Sequence, residues 1–221
     1  MTERTLRQVL KFIGEHAPCN PITIGGGEPT CHPKFWEFYG IILGEVGRMD
    51  LFDDYGPGVI GLVTNGKKTK DALALANLAK HGIIWCALSQ DQWHDPVDPK
   101  VVRAFTKKPR PWAADPNWYP MTQQEERDLR EIRTVFNVTD HGRASENSLA
   151  SGRAKECCCD SAFVFDPDGT IFTCGCREAT YGTVWEPEIP EGFDPHEDMW
   201  CPRSGKPKPG SPEWVADLVE A

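Results

Sequence analysis

Hydrophobic and polar positions along this chain fall into two alternating rhythms. Leu6, Val9, Leu10 and Ile13 recur at helical spacing, and Thr2 stands where an N-cap belongs, with Thr5 nearby. The short β-branched run Ile22-Thr23-Ile24 then breaks into Gly25, Gly26, Gly27, Glu28 and Pro29. After a helical stretch, Val59 to Val63 reads as a strand running into Thr64-Asn65-Gly66. Thr69 to His81 places Ala72, Leu73, Leu75, Ala76, Leu78 and Ala79 along one side of a helix, and Gly82 closes it. A further strand, Ile83 to Leu88, runs into Ser89-Gln90-Asp91-Gln92-Trp93-His94-Asp95, and Glu131 to Val138 forms another. Strands alternating with helices predict an α/β fold with parallel strands.

Each polar or glycine cluster in this series directly follows a hydrophobic strand. Ligands of α/β folds bind at the carboxyl ends of strands, so one rim can carry all the clusters. The glycine run lets the backbone reach positive φ and lets a ligand approach without a Cβ in the way, and Pro29 stiffens the exit. Thr64, Ser89 and Asp91 each have an ordinary alternative as turn or cap residues. Taken as a set, they read as ligand contacts.

The second half of the chain changes character. Phe163-Val164-Phe165 and Thr170-Ile171-Phe172-Thr173 flank Asp166-Pro167-Asp168-Gly169, the pattern of a β-hairpin. Folding it brings Cys157, Cys158 and Cys159 toward Cys174 and Cys176, a thiolate set suited either to zinc or to an iron-sulfur cluster. Cys201 is a further candidate. Cys86, inside an apolar strand, reads as core, and Cys31 as a packing residue after the glycine loop. His32 and His94 are candidates for substrate contact or ordinary loop histidines.

Composition adds limits. The chain has 221 residues, nine cysteines, 19 prolines, 20 glycines and a formal net charge of −9. The acidic balance argues against a general nucleic-acid surface. No apolar run of signal-peptide type or membrane-span length is present, so the expected location is cytoplasmic, where cysteines serve metal or redox chemistry more often than disulfides. Residues 108 to 120 form a Pro- and Trp-rich insertion, and residues 185 to 212 are again rich in proline. Residues 212 to 219 read as a short terminal helix. The expected organisation is a core over 1–145, a cysteine-rich metal- or cluster-binding hairpin over 146–184 and a tail over 185–221.

Gly25-Gly26-Gly27-Glu28-Pro29, Thr64-Asn65-Gly66, Ser89-x-Asp91 with His94, and Gly142-Arg143-Ala144 after the last strand stand in the order found in the radical S-adenosylmethionine (radical SAM) family, which this chain resembles over residues 22 to 144. The resemblance implies a partial (β/α) barrel, an incomplete TIM-like barrel, followed by the cysteine-rich hairpin. It implies that S-adenosylmethionine is the cofactor: Gly26, Gly27 and Glu28 would hold its methionine amino group, and Thr64, Asn65, Ser89 and Asp91 would line its ribose and carboxylate side. Cys157, Cys158, Cys159, Cys174 and Cys176 would carry an auxiliary iron-sulfur cluster on a hairpin similar to a twitch or SPASM extension, with zinc as the alternative. Tyr181-Gly182-Thr183-Val184 is similar to the Gly-rich segment that follows such hairpins.

The implied chemistry is radical hydrogen abstraction from a peptide or small molecule, with electrons supplied by a donor such as a ferredoxin or flavodoxin. No membrane or nucleic-acid partner is expected. The family's activating 4Fe-4S cluster is bound by Cys-x3-Cys-x2-Cys, a spacing that this sequence does not contain. An N-terminally truncated form of a longer enzyme is therefore expected, inactive without that loop. The other readings are a degenerate cofactor-binding partner protein and a non-catalytic zinc- or Fe-S-binding module.

Overall fold

The computed structural model describes residues 1–16, 22–25, 27–49, 59–90, 95–106, 128–133, 163–172, 177, 179–191, 193 and 210–213. It divides into two compact units, one formed by residues 19–136 and the other by residues 1–18 with 137–221.

The 19–136 unit is built on a four-stranded parallel sheet, so the fold is α/β. Its strands are β1 (Ile22–Ile24), β2 (Ile60–Thr64), β3 (Trp85–Ser89) and β4 (Arg130–Arg133), and they lie side by side in chain order without reversal. The helices α2 (Phe35–Arg48), α3 (Thr69–Lys80) and α4 (Pro99–Phe105) fall between successive strands, and a single 3-10 turn (Pro29–Cys31) follows β1. Strands of this kind are buried on both faces and so read as nearly continuous apolar runs. Ile60, Leu62, Cys86, Ala87 and Leu88 are all fully buried, together with Leu75 and Ala79 of α3 and Val101 of α4. Each large aliphatic side chain so placed contributes roughly 1.5–3 kcal/mol.

Local chemistry fixes the helix ends. Asp98 caps α4 by accepting from Lys100 N (2.8 Å), and Pro99 occupies the first turn. Gly82 follows α3 at φ +72°, a left-handed conformation that favours glycine. The Arg130 guanidinium of β4 pairs with Asp128 (2.6 Å) and also donates to Ala104 O of α4 at 2.5 Å, which ties that helix to the sheet edge. Hydrogen bonding to Asp128 raises the Arg130 pKa against the opposing effect of burial. The strand expected over 131–138 is seen as Arg130–Arg133, and its later residues lie outside the described ones.

The second unit contains α1 (Glu3–His16) and an antiparallel sheet of β5 (Val164–Phe165), β6 (Thr170–Phe172), β7 (Thr180–Thr183) and β8 (Glu186–Pro187), again in chain order. Thr2 caps α1, accepting from Thr5 N at 3.1 Å. The helix buries Leu6, Val9, Leu10, Phe12 and Ile13. Phe12 meets Phe163 and Phe165 edge-on at ring distances of 5.3 and 5.5 Å, and Gln8 Nε2 donates to Val184 O (3.0 Å). α1 therefore packs on the antiparallel sheet. The β5–β6 hairpin forms as the sequence predicts: Gly169 takes φ +96°, and its N–H donates to Asp166 O at 2.9 Å.

Candidate functional site

Glu28, just beyond β1, is the centre of the strand-end geometry. Its Oε1 accepts from Thr30 N (3.2 Å), Thr30 Oγ1 (2.5 Å) and Thr64 Oγ1 (3.0 Å), and its Oε2 accepts from Asn65 N at 2.6 Å. Half-buried, the carboxylate clips the end of β1 to the end of β2. Hydrogen bonds to a charged acceptor are the stronger kind, which suits a group that must hold two loops in one arrangement. Lys68 Nζ donates to Thr30 O (2.7 Å) and adds a third tie to the same corner. The buried Thr64 hydroxyl also accepts from Gly66 N (3.1 Å).

The glycines beside this clip face open space. A Cβ built on Gly25 or Gly27 meets no atom within 4 Å, and Gly27 takes φ +84°. Gly66, at φ +71°, differs: a Cβ there would lie 2.7 Å from Leu88 Cδ1 and 2.8 Å from Val97 Cγ1, so it is a packing glycine. Asn65 and Ser89 stand at the same carboxyl edge. The Asn65 side chain accepts from Lys67 N (3.0 Å) and shapes its turn, and Ser89 is buried at the end of β3. The structure thus brings Gly27, Glu28, Thr64, Asn65 and Ser89 to one end of one sheet, with Glu28, Thr64 and Asn65 in direct contact. Gly26 and Asp91 lie outside the described residues, as do His94, Gly142, Arg143 and Ala144.

Behind the clip the site is apolar. The Cys86 thiol is pushed up to about 12, first by burial and then by the Glu28 charge, and therefore stays a neutral thiol. Tyr39, buried on α2, is likewise raised by burial, with Cys86 as a lesser cause. Cys86 is core, as its strand position predicts. Cys31 is exposed, contrary to the packing role expected of it, because in the one-turn helix Pro29 and Thr30 take the inward positions. His32 is a loop histidine: its Nδ1 accepts from Lys34 N (3.2 Å) and its ring lies 4.8 Å from that of Phe38.

Cys157, Cys158, Cys159, Cys174, Cys176 and Cys201 lie outside the described residues, and among the described ones no cluster of His, Cys, Asp and Glu suits a metal. The hairpin beside these cysteines is described. Val164, which opens β5, pairs with Phe172, which closes β6. Arg177, next in sequence after Cys176, takes φ 57°, and its guanidinium pairs with Asp166 at 2.8 Å.

Sequence reading missed a polar group on the sheet itself. Trp85 Nε1 donates to Glu131 Oε2 (3.2 Å), Arg133 Nε donates to Glu131 Oε1 (3.1 Å), and the Arg133 guanidinium lies 4.3 Å from the Trp85 ring centroid. Its signal was the i, i+2 spacing of Glu131 and Arg133, which puts two opposite charges on one face of a strand. Among the described residues no helix is long and apolar enough to cross a membrane. Comparison with protein-family models, with curated proteins and with solved structures finds no match for this chain.

Proposed function

We propose that this chain is a radical SAM family protein, an incomplete (β/α) barrel whose strand-end cradle binds S-adenosylmethionine and which acts on a peptide or small molecule. The observation that carries the reading is the Glu28 clip, which holds a glycine loop open at the carboxyl end of a parallel sheet. Sheet order without reversal supports it, since doubly wound sheets reverse at a switch point and barrels do not.

The residues fit the cofactor's methionine end. Gly27 offers backbone at positive φ with no side chain in the space it faces, and Glu28 keeps negative charge beside it. The Glu28 carboxylate already accepts four bonds from the protein, so it orients the loop, while the backbone of Gly26 and Gly27 holds the ammonium. Thr64, Asn65, Ser89 and Asp91 border the ribose and carboxylate side. S-adenosylmethionine would supply radical hydrogen abstraction only on one-electron reduction by a 4Fe-4S cluster, and the Cys-x3-Cys-x2-Cys that binds that cluster is not in this sequence, so these residues bind and orient the cofactor without carrying the radical step. The cysteines flanking the β5–β6 hairpin are the donor set for an auxiliary iron-sulfur cluster, or for zinc. A ferredoxin or flavodoxin is the matching class of electron donor.

Calorimetric titration of the anaerobically purified chain with S-adenosylmethionine tests this reading. Gly27→Ala adds a methyl that meets no protein atom within 4 Å but strains a backbone held at φ +84°, so on this reading it disturbs the cradle and affinity falls by about tenfold or more, the equivalent of 1.4 kcal/mol. Absence of binding up to about 1 mM, where the binding free energy has fallen to roughly −4 kcal/mol, would overturn it.

A further inference from the structure

The two faces of the parallel sheet differ. One carries Leu62, Thr64, Cys86 and Leu88, all at most 1% exposed. Residues on the other include Thr23, Gly61, Trp85, Glu131 and Arg133, and that face is partly open. Gly61 sits mid-strand, where glycine weakens a strand and marks a close approach. The close approach is that of the Trp85 ring: a Cβ on Gly61 would lie 3.0 Å from Trp85 Cε3 and 3.3 Å from Thr23 Oγ1. The glycine lets the indole lie across the sheet. Glu131 then fixes both partners, accepting the indole N–H on one oxygen and Arg133 Nε–H on the other, and the guanidinium is held against the indole face. Only the Nε of Arg133 is engaged, and among the described residues neither Nη nitrogen has a hydrogen-bond partner. The Arg133 side chain is 52% exposed.

A guanidinium with its Nε pinned, its plane backed by a ring and its Nη donors free is pre-organised for a planar or tetrahedral oxyanion. We propose that Arg133, seated by Trp85, Glu131 and Gly61, is the recognition site for a carboxylate or phosphate group of the molecule on which the protein acts. This rests on the functional reading above and names the class of substrate. Arg133 pairs in register with Ser89 at the carboxyl end of the sheet, but its guanidinium is turned back along the face to the indole of Trp85, which begins β3 four strand steps, about 13 Å, before Ser89. On that direction the oxyanion is assigned to a second molecule, and parallel measurement of S-adenosylmethionine affinity separates it from the cofactor's own carboxylate.

Full-length chain labelled with 15N is titrated with inorganic phosphate and, separately, with succinate, while the Trp85 indole and Arg133 Nε signals are followed by NMR. Binding of S-adenosylmethionine is measured in parallel. The expected result is a saturable shift of both signals with at least one anion, and the tighter of the two identifies the group as phosphate or carboxylate. Arg133→Gln weakens that binding about tenfold or more, the usual range for a hydrogen bond to a charged group, and leaves S-adenosylmethionine affinity unchanged. Arg133→Lys keeps the charge but loses the fork, and Gly61→Ala keeps Arg133 but displaces the indole; each weakens the anion several-fold, so the test survives if Arg133→Gln does not fold. Signals unmoved by both anions overturn the proposal. An equal fall in S-adenosylmethionine affinity also overturns it, by placing Arg133 in the cofactor cradle. If S-adenosylmethionine does not bind but the anion does, and Arg133→Gln abolishes it, the anion site stands and the cofactor reading falls.

Discussion

In the parallel sheet β2 and β3 are five residues each and bury Ile60, Leu62, Cys86, Ala87 and Leu88 completely, whereas among the described residues no strand of the antiparallel sheet exceeds four. The smaller sheet leans on rings: Phe163 lies 6.4 Å from Tyr181, Tyr181 lies 5.3 Å from Phe193, and Phe12 of α1 joins the same cluster. Long apolar strands leave polar residues nowhere to go but the strand ends and the one open face, and those are the places where Glu28, Thr64 and Arg133 are found. Short strands cannot build a deep core, and small units of this kind commonly need a staple such as a metal. In sequence, the cysteine set flanks the β5–β6 hairpin of that smaller sheet.

The largest expected effect follows from that contrast. On the metal reading, anaerobic removal of iron or zinc by a chelator abolishes hydrogen-exchange protection in residues 163–187 and leaves residues 60–64 and 85–89 protected, since structural metal binding is folding free energy. Equal loss in both sheets would break the distinction. Next comes Leu62→Ala, which opens a cavity in the parallel sheet. It is expected to cost about 2–5 kcal/mol by urea denaturation, with the loss in the 19–136 unit. The smallest effect is one of pH. Below about pH 9 the Cys86 thiol is protonated in both folded and unfolded chains. Above that the unfolded chain ionises while the folded thiol, raised to about 12, does not. Its contribution is therefore whole at lower pH and is lost as pH rises through this window. Urea midpoints compared at about pH 8 and about pH 10 should fall less for Cys86→Ala than for the parent chain.

Much of this was legible in the residues because one physical signal dominated each element. Continuous apolar runs gave the buried strands, Gly82 the end of α3, and Asp166 to Gly169 the hairpin turn. The position of Glu28 was legible too, but its partners were not: that one carboxylate ties Thr30 to Thr64 and Asn65 depends on the register of β1 with β2, which no local pattern encodes. The exposure of Cys31 turned on which side of a single helical turn faces inward. The Trp85, Glu131 and Arg133 group escaped notice because its members come from strands separated by more than forty residues, and the short α4 because seven residues carry little periodicity.

Hydrogen exchange of the whole chain with and without S-adenosylmethionine tests the central claim most directly, because it reads both sheets at once. The account predicts slowed exchange in peptides covering residues 22–31, 60–66 and 85–90, with residues 163–187 unchanged. Protection confined to the hairpin, or no change anywhere at saturating cofactor, would contradict it.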